Sequence, residues 1–398
     1  MCLLTLTSRS DANPTLLRRQ DKFLKDAGSL PTSYDVVIVG GGPAGLSALS
    51  SLVRVRRKVL LIDSGDYRNA LTRNTHDVIG SDGISPSLFR KKAREQIARY
   101  PTAFIQNETV TSISRSNNGS VFVTTISRGR QYTSRKIVLA TGIKDILPNM
   151  PGIDVAWGSG IYWCTWCDGW EHRDQPLGIL VSLPDVIDRV LQVKNLNNDI
   201  ITFVNGSDTP DNRAILDGTS PGWQNNLARL GVKLENRTVI GIERLQDGSI
   251  IKNETSWEEF DKFHVTLDDG TQVQRGALLM SFPKRQHSYL GERLGVKLEN
   301  ERIVVDKSNM RAAPGVWGVG DANNDGTTNV PHALYTGKKA GVNAHFELAR
   351  EEIALSPTIK RSESERIEGV DDSLQLLWYS LSYNYSKHQL SKNRILVS

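Results

Sequence analysis

Two cysteines separated by two residues, Cys164 and Cys167, lie in the stretch Ile-Tyr-Trp-Cys-Thr-Trp-Cys-Asp-Gly at 161–169, and they carry the most reactive chemistry in the sequence. At this spacing the sulfurs can close a small disulfide ring. A thiolate in such a motif commonly has a lowered pKa, which makes it the attacking species in exchange. Half of a zinc site is the other use of the spacing, but zinc takes four ligands. The only further cysteine is Cys2, so no second pair exists and no metal is expected. Asp168 follows at once, where a carboxylate can take and return the proton that accompanies each thiol step. A solvated turn aspartate is the plainer reading of the same residue. Trp163, Trp166 and Trp170 flank the pair and either wall an apolar substrate site or pack in a core.

A second constellation stands near the N-terminus. Gly-Gly-Gly-Pro-Ala-Gly at 40–45 satisfies Gly-x-Gly-x-x-Gly with Gly40, Gly42 and Gly45, with Pro43 and Ala44 between them. The string alone is weak evidence, but it follows an apolar run at 34–39 and opens a helical pattern at 46–53. Asp63 ends the next predicted strand, 58–63. That is the βαβ context the dinucleotide fingerprint demands. Gly40 lets the chain turn, Gly42 lets backbone approach a pyrophosphate, and Gly45 lets helix and strand pack closely. The phosphate charge meets the helix N-terminus, and Asp63 can accept from a ribose hydroxyl.

The elements that must position these groups are those of an α/β protein. Continuous apolar runs at 136–140, 177–181 and 199–204 read as strands buried on both faces. A helical pattern spans 185–196, a polar, hairpin-rich stretch runs to about 279, a strand is expected at 302–305, and a long helix covers about 331–350. The octapeptide Arg-Leu-Gly-Val-Lys-Leu-Glu-Asn occurs at 229–236 and again at 293–300, which reads as a helix stopped by Gly and followed by a strand, used twice. With 398 residues, 38% of them hydrophobic, the chain has room for two domains. Its 49 basic and 44 acidic residues leave a thin excess spread along the sequence, so no nucleic-acid partner is expected. No window resembles a membrane span, and the opening residues are too short for a signal h-region, which suggests a cytoplasmic protein.

Placed between the glycine fingerprint and Gly-Val-Gly-Asp at 318–321, the motif Cys-x-x-Cys-Asp-Gly resembles the low-molecular-weight thioredoxin reductases, over about residues 34–350. The likeness is closer to a fungal branch, the dithiol oxidases that close the disulfide of gliotoxin-type (epipolythiodioxopiperazine) metabolites. It rests on Asp-Ser-Gly-Asp-Tyr-Arg-Asn at 63–69, His-Asp-Val-Ile-Gly at 76–80, and Gly-Ile-Tyr before the cysteines with Asp-Gly-Trp-Glu behind them. The resemblance implies two Rossmann-like, three-layer domains, the second inserted into the first, an FAD cofactor and a homodimer. It implies Asp321 on the ribityl chain, Thr328 and Asn329 beside the ring system, and further cofactor contacts from Ser64, Arg68, Asn69, His76, Val110, Ala140 and Thr141. It also makes Cys164 the outer sulfur and Cys167 the inner one. The corresponding division is a flexible extension at 1–33, an FAD-binding domain at 34–151 and 285–350, an inserted degenerate NADPH-type domain at 152–284 carrying the cysteines, and a tail at 351–398. His332 falls where a small residue facing the flavin region is expected.

The sequence departs from the reductase pattern at one place. A nicotinamide donor needs a second glycine fingerprint in the inserted domain, and the corresponding turn reads Leu-Gly-Ile-Leu-Val-Ser-Leu-Pro-Asp at 177–185. Leu183 and Pro184 stand where backbone must approach a pyrophosphate, and no arginine pair follows the next strand. At ~1.5–3 kcal/mol per charged hydrogen bond, that loss removes several kcal/mol of cofactor affinity. The expectation is therefore an enzyme that oxidises a small-molecule dithiol to a disulfide with O2 as acceptor and H2O2 as product, in fungal secondary metabolism. The alternative is an NADPH-dependent reductase of a thioredoxin-like disulfide.

Overall fold

The computed structural model describes residues 30–116, 119 and 121–355. Most of the expected extension, Cys2 within it, and nearly all of the expected tail therefore lie outside the described residues. The first sheet begins as the fingerprint requires, with β1 (Ser33–Val39), helix α1 (Pro43–Arg54), β2 (Val59–Asp63), α2 (Pro86–Ile97) and β3 (Ala103–Asn107). An antiparallel excursion, β4 (Val110–Arg115) and β5 (Phe122–Ile126), leads into β6 (Gln131–Leu139). Parallel pairing runs β6–β1–β2–β3, with Val37 opposite Leu60 on one side and Ile137 on the other. Val36, Val37 and Ile38 are wholly buried, which is why the run had to be apolar on both of its faces.

The chain leaves this sheet through β7 (Ile143–Asp145) and a short helix α3 (Ile153–Ala156). It then builds a second sheet from β8 (Ile161–Tyr162), helix α4 (Thr165–Asp168), β9 (Leu177–Leu180), α5 (Val186–Val193), β10 (Ile200–Phe203), α6 (Pro210–Thr219), α7 (Trp223–Arg229) and β11 (Lys233–Glu235). Next come β12 (Val239–Gln246), the small ribbon β13 (Lys252–Asn253) and β14 (Glu258–Glu259), then β15 (Lys262–Leu267), β16 (Gln272–Arg275) and β17 (Ala277–Met280). The parallel order is β11–β10–β9–β17–β8, and β12, β15 and β16 form a separate antiparallel layer. Alternation along β17 shows how three layers form: Ala277 and Leu279 pack with Val186, Val190 and Trp223 of the helices, whereas Leu278 and Met280 pack with Phe263 and Val265 of the antiparallel layer.

The return passes through β18 (Lys284–Gln286), which pairs antiparallel with β7, so the two crossings form one two-stranded ribbon. After β19 (Leu298–Glu299) and β20 (Arg302–Ile303), strands β21 (Arg311–Ala313) and β22 (Val316–Gly318) rejoin the first sheet beside β6, and helix α8 (Val330–Leu355) follows. Among the described residues no helix is long and apolar enough to cross a membrane.

Several expectations about elements are corrected. The strand expected at 302–305 is only the two residues of β20. The helix at 185–196 opens with a single 3-10 turn, Leu183–Asp185, and ends at Val193. The polar stretch before 279 contains α6 and α7 as well as hairpins, because a narrow apolar stripe (Leu216, Trp223, Leu227) suffices to dock them. The two octapeptides share a local shape: α7 and a 3-10 turn (Glu292–Leu294) stop at Gly231 and Gly295, with φ of +69° and +78°, and β11 and β19 follow.

Close packing of α1 under the sheet depends on Gly45, where an added Cβ would lie 1.9 Å from the carbonyl oxygen of Gly40. Gly45→Ala is therefore expected to cost about 1–3 kcal/mol of stability, the usual range for overpacking against backbone. Urea unfolding of the two proteins measures it, and coincident midpoints would show that the approach is not needed.

Candidate active site and cofactor cavity

A cavity of about 1060 Å³ opens where the first sheet faces the second. Its floor is the fingerprint loop. Gly42 is the N-cap of α1, with no side chain capping the helix and Pro43 in its first turn, so backbone N–H groups face the cavity without internal acceptors. A Cβ on Gly42 would meet nothing within 4 Å, as expected where a ligand approaches, whereas one on Gly41 would strike Asp63 Oδ2 at 2.1 Å. The need for a fourth glycine, set by the Asp63 carboxylate, was not part of the sequence expectation. Tyr67 Oη and Arg94 Nη2 both donate to Asp63 Oδ2, while Oδ1 takes, among the described residues, only the Gly65 N–H at 3.1 Å and keeps capacity for a ribose hydroxyl. Thr141 Oγ1 is buried on the cavity wall with no hydrogen-bond partner among the described residues. An anion-ready helix start, an acid at the end of β2 and an orphaned hydroxyl fit a dinucleotide such as FAD.

Of the residues expected around a cofactor, Gly40, Gly42, Pro43, Ala44, Asp63, Ser64, Arg68, Asn69, His76, Val110, Ala140, Thr141, Asp321, Thr328 and Asn329 all line this cavity. Gly45 does not; it serves the packing described above. Arg68 is more tied than the sequence suggests. It grips Asp145 with Nε and Nη2 at 2.8 and 3.0 Å, reaches Asp321 Oδ2 with Nη1 at 2.9 Å, and lies 4.9 Å over the Trp163 ring. His332 does not line the cavity. Its Nε2 faces Asp325 Oδ2, and its N–H donates to Asn329 Oδ1 at 2.7 Å.

Cys164 and Cys167 are joined as a disulfide, with Cα atoms 5.2 Å apart, and both line the same cavity. β8 carries them to this place. Its pairing with β17 sets Tyr162 in the sheet, and Cys164 then starts the single turn α4, with its carbonyl accepting from the N–H groups of Cys167 and Asp168. Trp163 and Trp166 border the cavity, and Trp163 also stacks on Trp157, so it is both wall and packing. Trp170 points away, exposed under the Arg173 guanidinium.

Asp168 borders the cavity beside the sulfurs. Burial pushes its carboxyl up to about 7, the Glu171 and Glu259 carboxylates push the same way, and His172 and Arg73 oppose them. Next to it stands a group absent from the sequence expectation. His172 is fully buried, with Nδ1 2.9 Å from the Asp168 carbonyl oxygen and Nε2 3.1 Å from Asp261 Oδ2. Burial alone would lower its pKa, but the hydrogen bonds to Asp261 and Asp168 raise it, which favours the protonated imidazole. Burial raises Glu171, whose Oε1 lies 3.4 Å from His76 Nε2.

The chain is similar to known proteins. Residues 34–337 match the model of the family described as pyridine nucleotide-disulphide oxidoreductase. A probable thioredoxin reductase of Arthroderma benhamiae is 48% identical over 356 residues, 86% of this chain and 87% of that protein. The thioredoxin reductase tcpT of Claviceps purpurea is 28% identical over 79% of this chain and 94% of its own length. Among solved structures, an oxidoreductase from Agrobacterium tumefaciens superposes with a TM-score of 0.67 at 29% identity, covering 80% of this chain and 99% of that one.

The raised Asp168 pKa has a consequence for stability. An unfolded aspartate titrates near ~3.9, so between that pH and about 7 the folded chain holds the extra proton. This group's contribution is greatest at low pH and declines as pH rises through that window. Asp168→Asn is expected to remove the decline, so the variant gains on the wild type from pH 4 to pH 7 in denaturant titrations. Parallel stability curves would contradict the assignment.

Proposed function

Because the chain belongs to the pyridine nucleotide-disulphide oxidoreductase family, as a thioredoxin reductase-like oxidoreductase whose cofactor is FAD, we propose a specific reaction for it: oxidation of a small-molecule dithiol to a disulfide, with O2 as acceptor and H2O2 as second product. One observation carries this reading. The strand-to-helix turn of the insert, between β9 and α5, is filled by Leu183, which is fully buried and whose N–H donates to Ser207 Oγ at 2.9 Å. The leucine side chain and its committed N–H take up, at this position, the space and the donor that the close-approach residue of a pyrophosphate site offers. Arg213, after β10, is paired bidentate with Asp208 at 2.5 and 2.7 Å on the surface, an ion pair with which a 2′-phosphate would have to compete.

In the proposed sequence a substrate thiolate attacks Sγ of Cys164, the bond to Cys167 breaks, and Cys167 leaves as a thiolate. The second substrate thiol, once deprotonated, attacks the substrate sulfur of the mixed disulfide. Cys164 is released, and the substrate departs as a disulfide, having given up two electrons and two protons. Asp168, titrating near neutral pH, passes a proton to or from the sulfurs in each half. Arg189 lines the same cavity and has no acidic partner among the described residues, so its charge favours the thiolate form of an entering substrate. FAD, held by the fingerprint loop and Asp63, would supply a two-electron acceptor for the reduced pair, with dioxygen as the terminal oxidant and hydrogen peroxide as its product. The balance is one dithiol and one O2 consumed for one disulfide and one H2O2.

The residues we assign to FAD are those of the fingerprint loop with Asp63, Ser64, Arg68, Asn69, His76, Val110, Ala140, Thr141, Asp321, Thr328 and Asn329. The domain division at 34–151 with 285–350, and 152–284, goes with that assignment. The family resemblance supports a homodimer working in fungal secondary metabolism, and the cytoplasm is the compartment proposed for it. The second reading, an NADPH-driven reductase of a protein disulfide, is favoured by the names of the fungal relatives.

Oxygen-electrode measurements test the proposal. The yellow protein is expected to consume O2 with dithiothreitol, forming equimolar peroxide without NADPH. Cys164→Ser should keep its colour and lose the uptake, and Asp168→Asn should slow turnover by roughly 10²–10⁴-fold, as for loss of a general acid–base group. Uptake that persists in Cys164→Ser, or that requires NADPH, would reject the proposal.

A further inference from the structure

The loop between β2 and α2 belongs to the first sheet, yet it reaches into the insert. Thr72, Asn74, Thr75 and His76 line the cavity, whereas Arg73 between them is directed into the insert. There its guanidinium meets three carboxylates: Asp261 at 2.8 and 2.9 Å, Asp247 at 2.7 Å and Glu259 at 2.5 Å. Asp261 has no exposed side-chain surface, and it also accepts the Gly248 N–H at 2.9 Å and His172 Nε2 at 3.1 Å. His172 Nδ1 in turn holds the Asp168 carbonyl that ends the cysteine-bearing turn. A connected series of charge-assisted hydrogen bonds thus runs from the cofactor side of the molecule to the redox turn. Two neighbouring contacts reinforce it: His76 on Glu171 at 3.4 Å, and Leu71 against Gly158, where an added Cβ would lie 3.2 Å from the leucine Cβ. His172, Glu259 and Asp261 lie within 4.8 Å of one another, a spacing that could hold a metal ion, and Arg73 supplies the positive charge in its place.

Covalently, the insert hangs on two crossings that run side by side as β7 and β18. A ribbon of three residue pairs leaves a domain free to swing, and a swing would carry the sulfurs away from the cavity. We infer that Arg73 is a positioning residue: it fastens the disulfide-bearing insert to the cofactor-binding part of the chain, so that Cys164–Cys167 stays over the cavity and the dithiol must enter the cavity to meet it. The occupant this geometry takes is a small dithiol rather than the loop of a folded protein. That last step rests on the oxidation reading; the clamp itself does not.

Thiol labelling tests the clamp without substrate or oxygen, so it stands or falls separately from the proposed reaction. In a Cys2→Ser background the pair is reduced anaerobically and reacted with N-ethylmaleimide or with a polymer-linked maleimide. In the wild-type sequence at position 73 the polymer reagent should react about tenfold or more slowly than the small one, as expected when access requires opening. Arg73→Gln should close that gap, and Arg73→Lys, retaining a charge, should restore part of it. In steady state Arg73→Lys should lower kcat with little change in KM. FAD content and thermal unfolding identify any variant that has simply misfolded, in which case the wild-type ratio decides alone. Equal labelling by both reagents in the wild type, or a folded, FAD-loaded Arg73→Gln that labels like it, would overturn the inference.

Discussion

The reactive sulfurs are carried by one sheet, and the cavity they face is built mainly by another, so everything the molecule does depends on the two being held in register. Asp261 is the centre of that arrangement. It is buried to the point of having no exposed side-chain surface, and it takes hydrogen bonds from Arg73, His172 and the Gly248 backbone. A buried carboxylate is tolerated only when its lone pairs are filled and its charge is met. Here one guanidinium and one imidazolium meet it, and each belongs to a different part of the site.

The same cluster shows that environment, not residue type, decides what an acid does. Burial pushes both Asp168 and Asp261 upward. For Asp261 the hydrogen bonds from His172 and Arg73 overcome burial and hold the carboxyl far below the ordinary range, fixing it as a permanent anion that organises its neighbours. Asp168 has no such donors on its carboxylate among the described residues, and it rises to about 7, where it can exchange a proton near neutral pH. The two aspartates thereby divide into a buried anion and a carboxyl that titrates near neutral pH, and the second adjoins the disulfide.

Much of this was legible in the sequence because it is local. The fingerprint loop, the strand before it, the helix after it and the acid ending β2 fall within about thirty residues, and the cysteine pair announces itself by spacing. Leu183 and Pro184 in the turn after β9 were equally visible, since a missing glycine is a local fact. What the sequence did not disclose depends on distant segments meeting. Arg73 and Asp261 are 188 residues apart, and His172 and Asp261 are 89 apart, with no periodicity to link them. Gly41 looked like a spare member of a glycine run until the Asp63 carboxylate was found against it. Arg68 was expected at the cofactor, and it lines the cavity, but its two acidic partners, Asp145 and Asp321, come from segments that only the fold brings together. His332 stands where a small residue facing the flavin region was expected, and its pairing with Asp325 outside the cavity wall depends on the loop before α8.

In the proposed reaction electrons enter from a dithiol through Cys164 and Cys167 and not from a nicotinamide through the insert. An anaerobic titration of the purified protein's flavin absorbance tests that direction most directly. A small dithiol should bleach the flavin, and micromolar NADPH should leave the spectrum unchanged. Rapid bleaching by NADPH, with the dithiol inert, would contradict it.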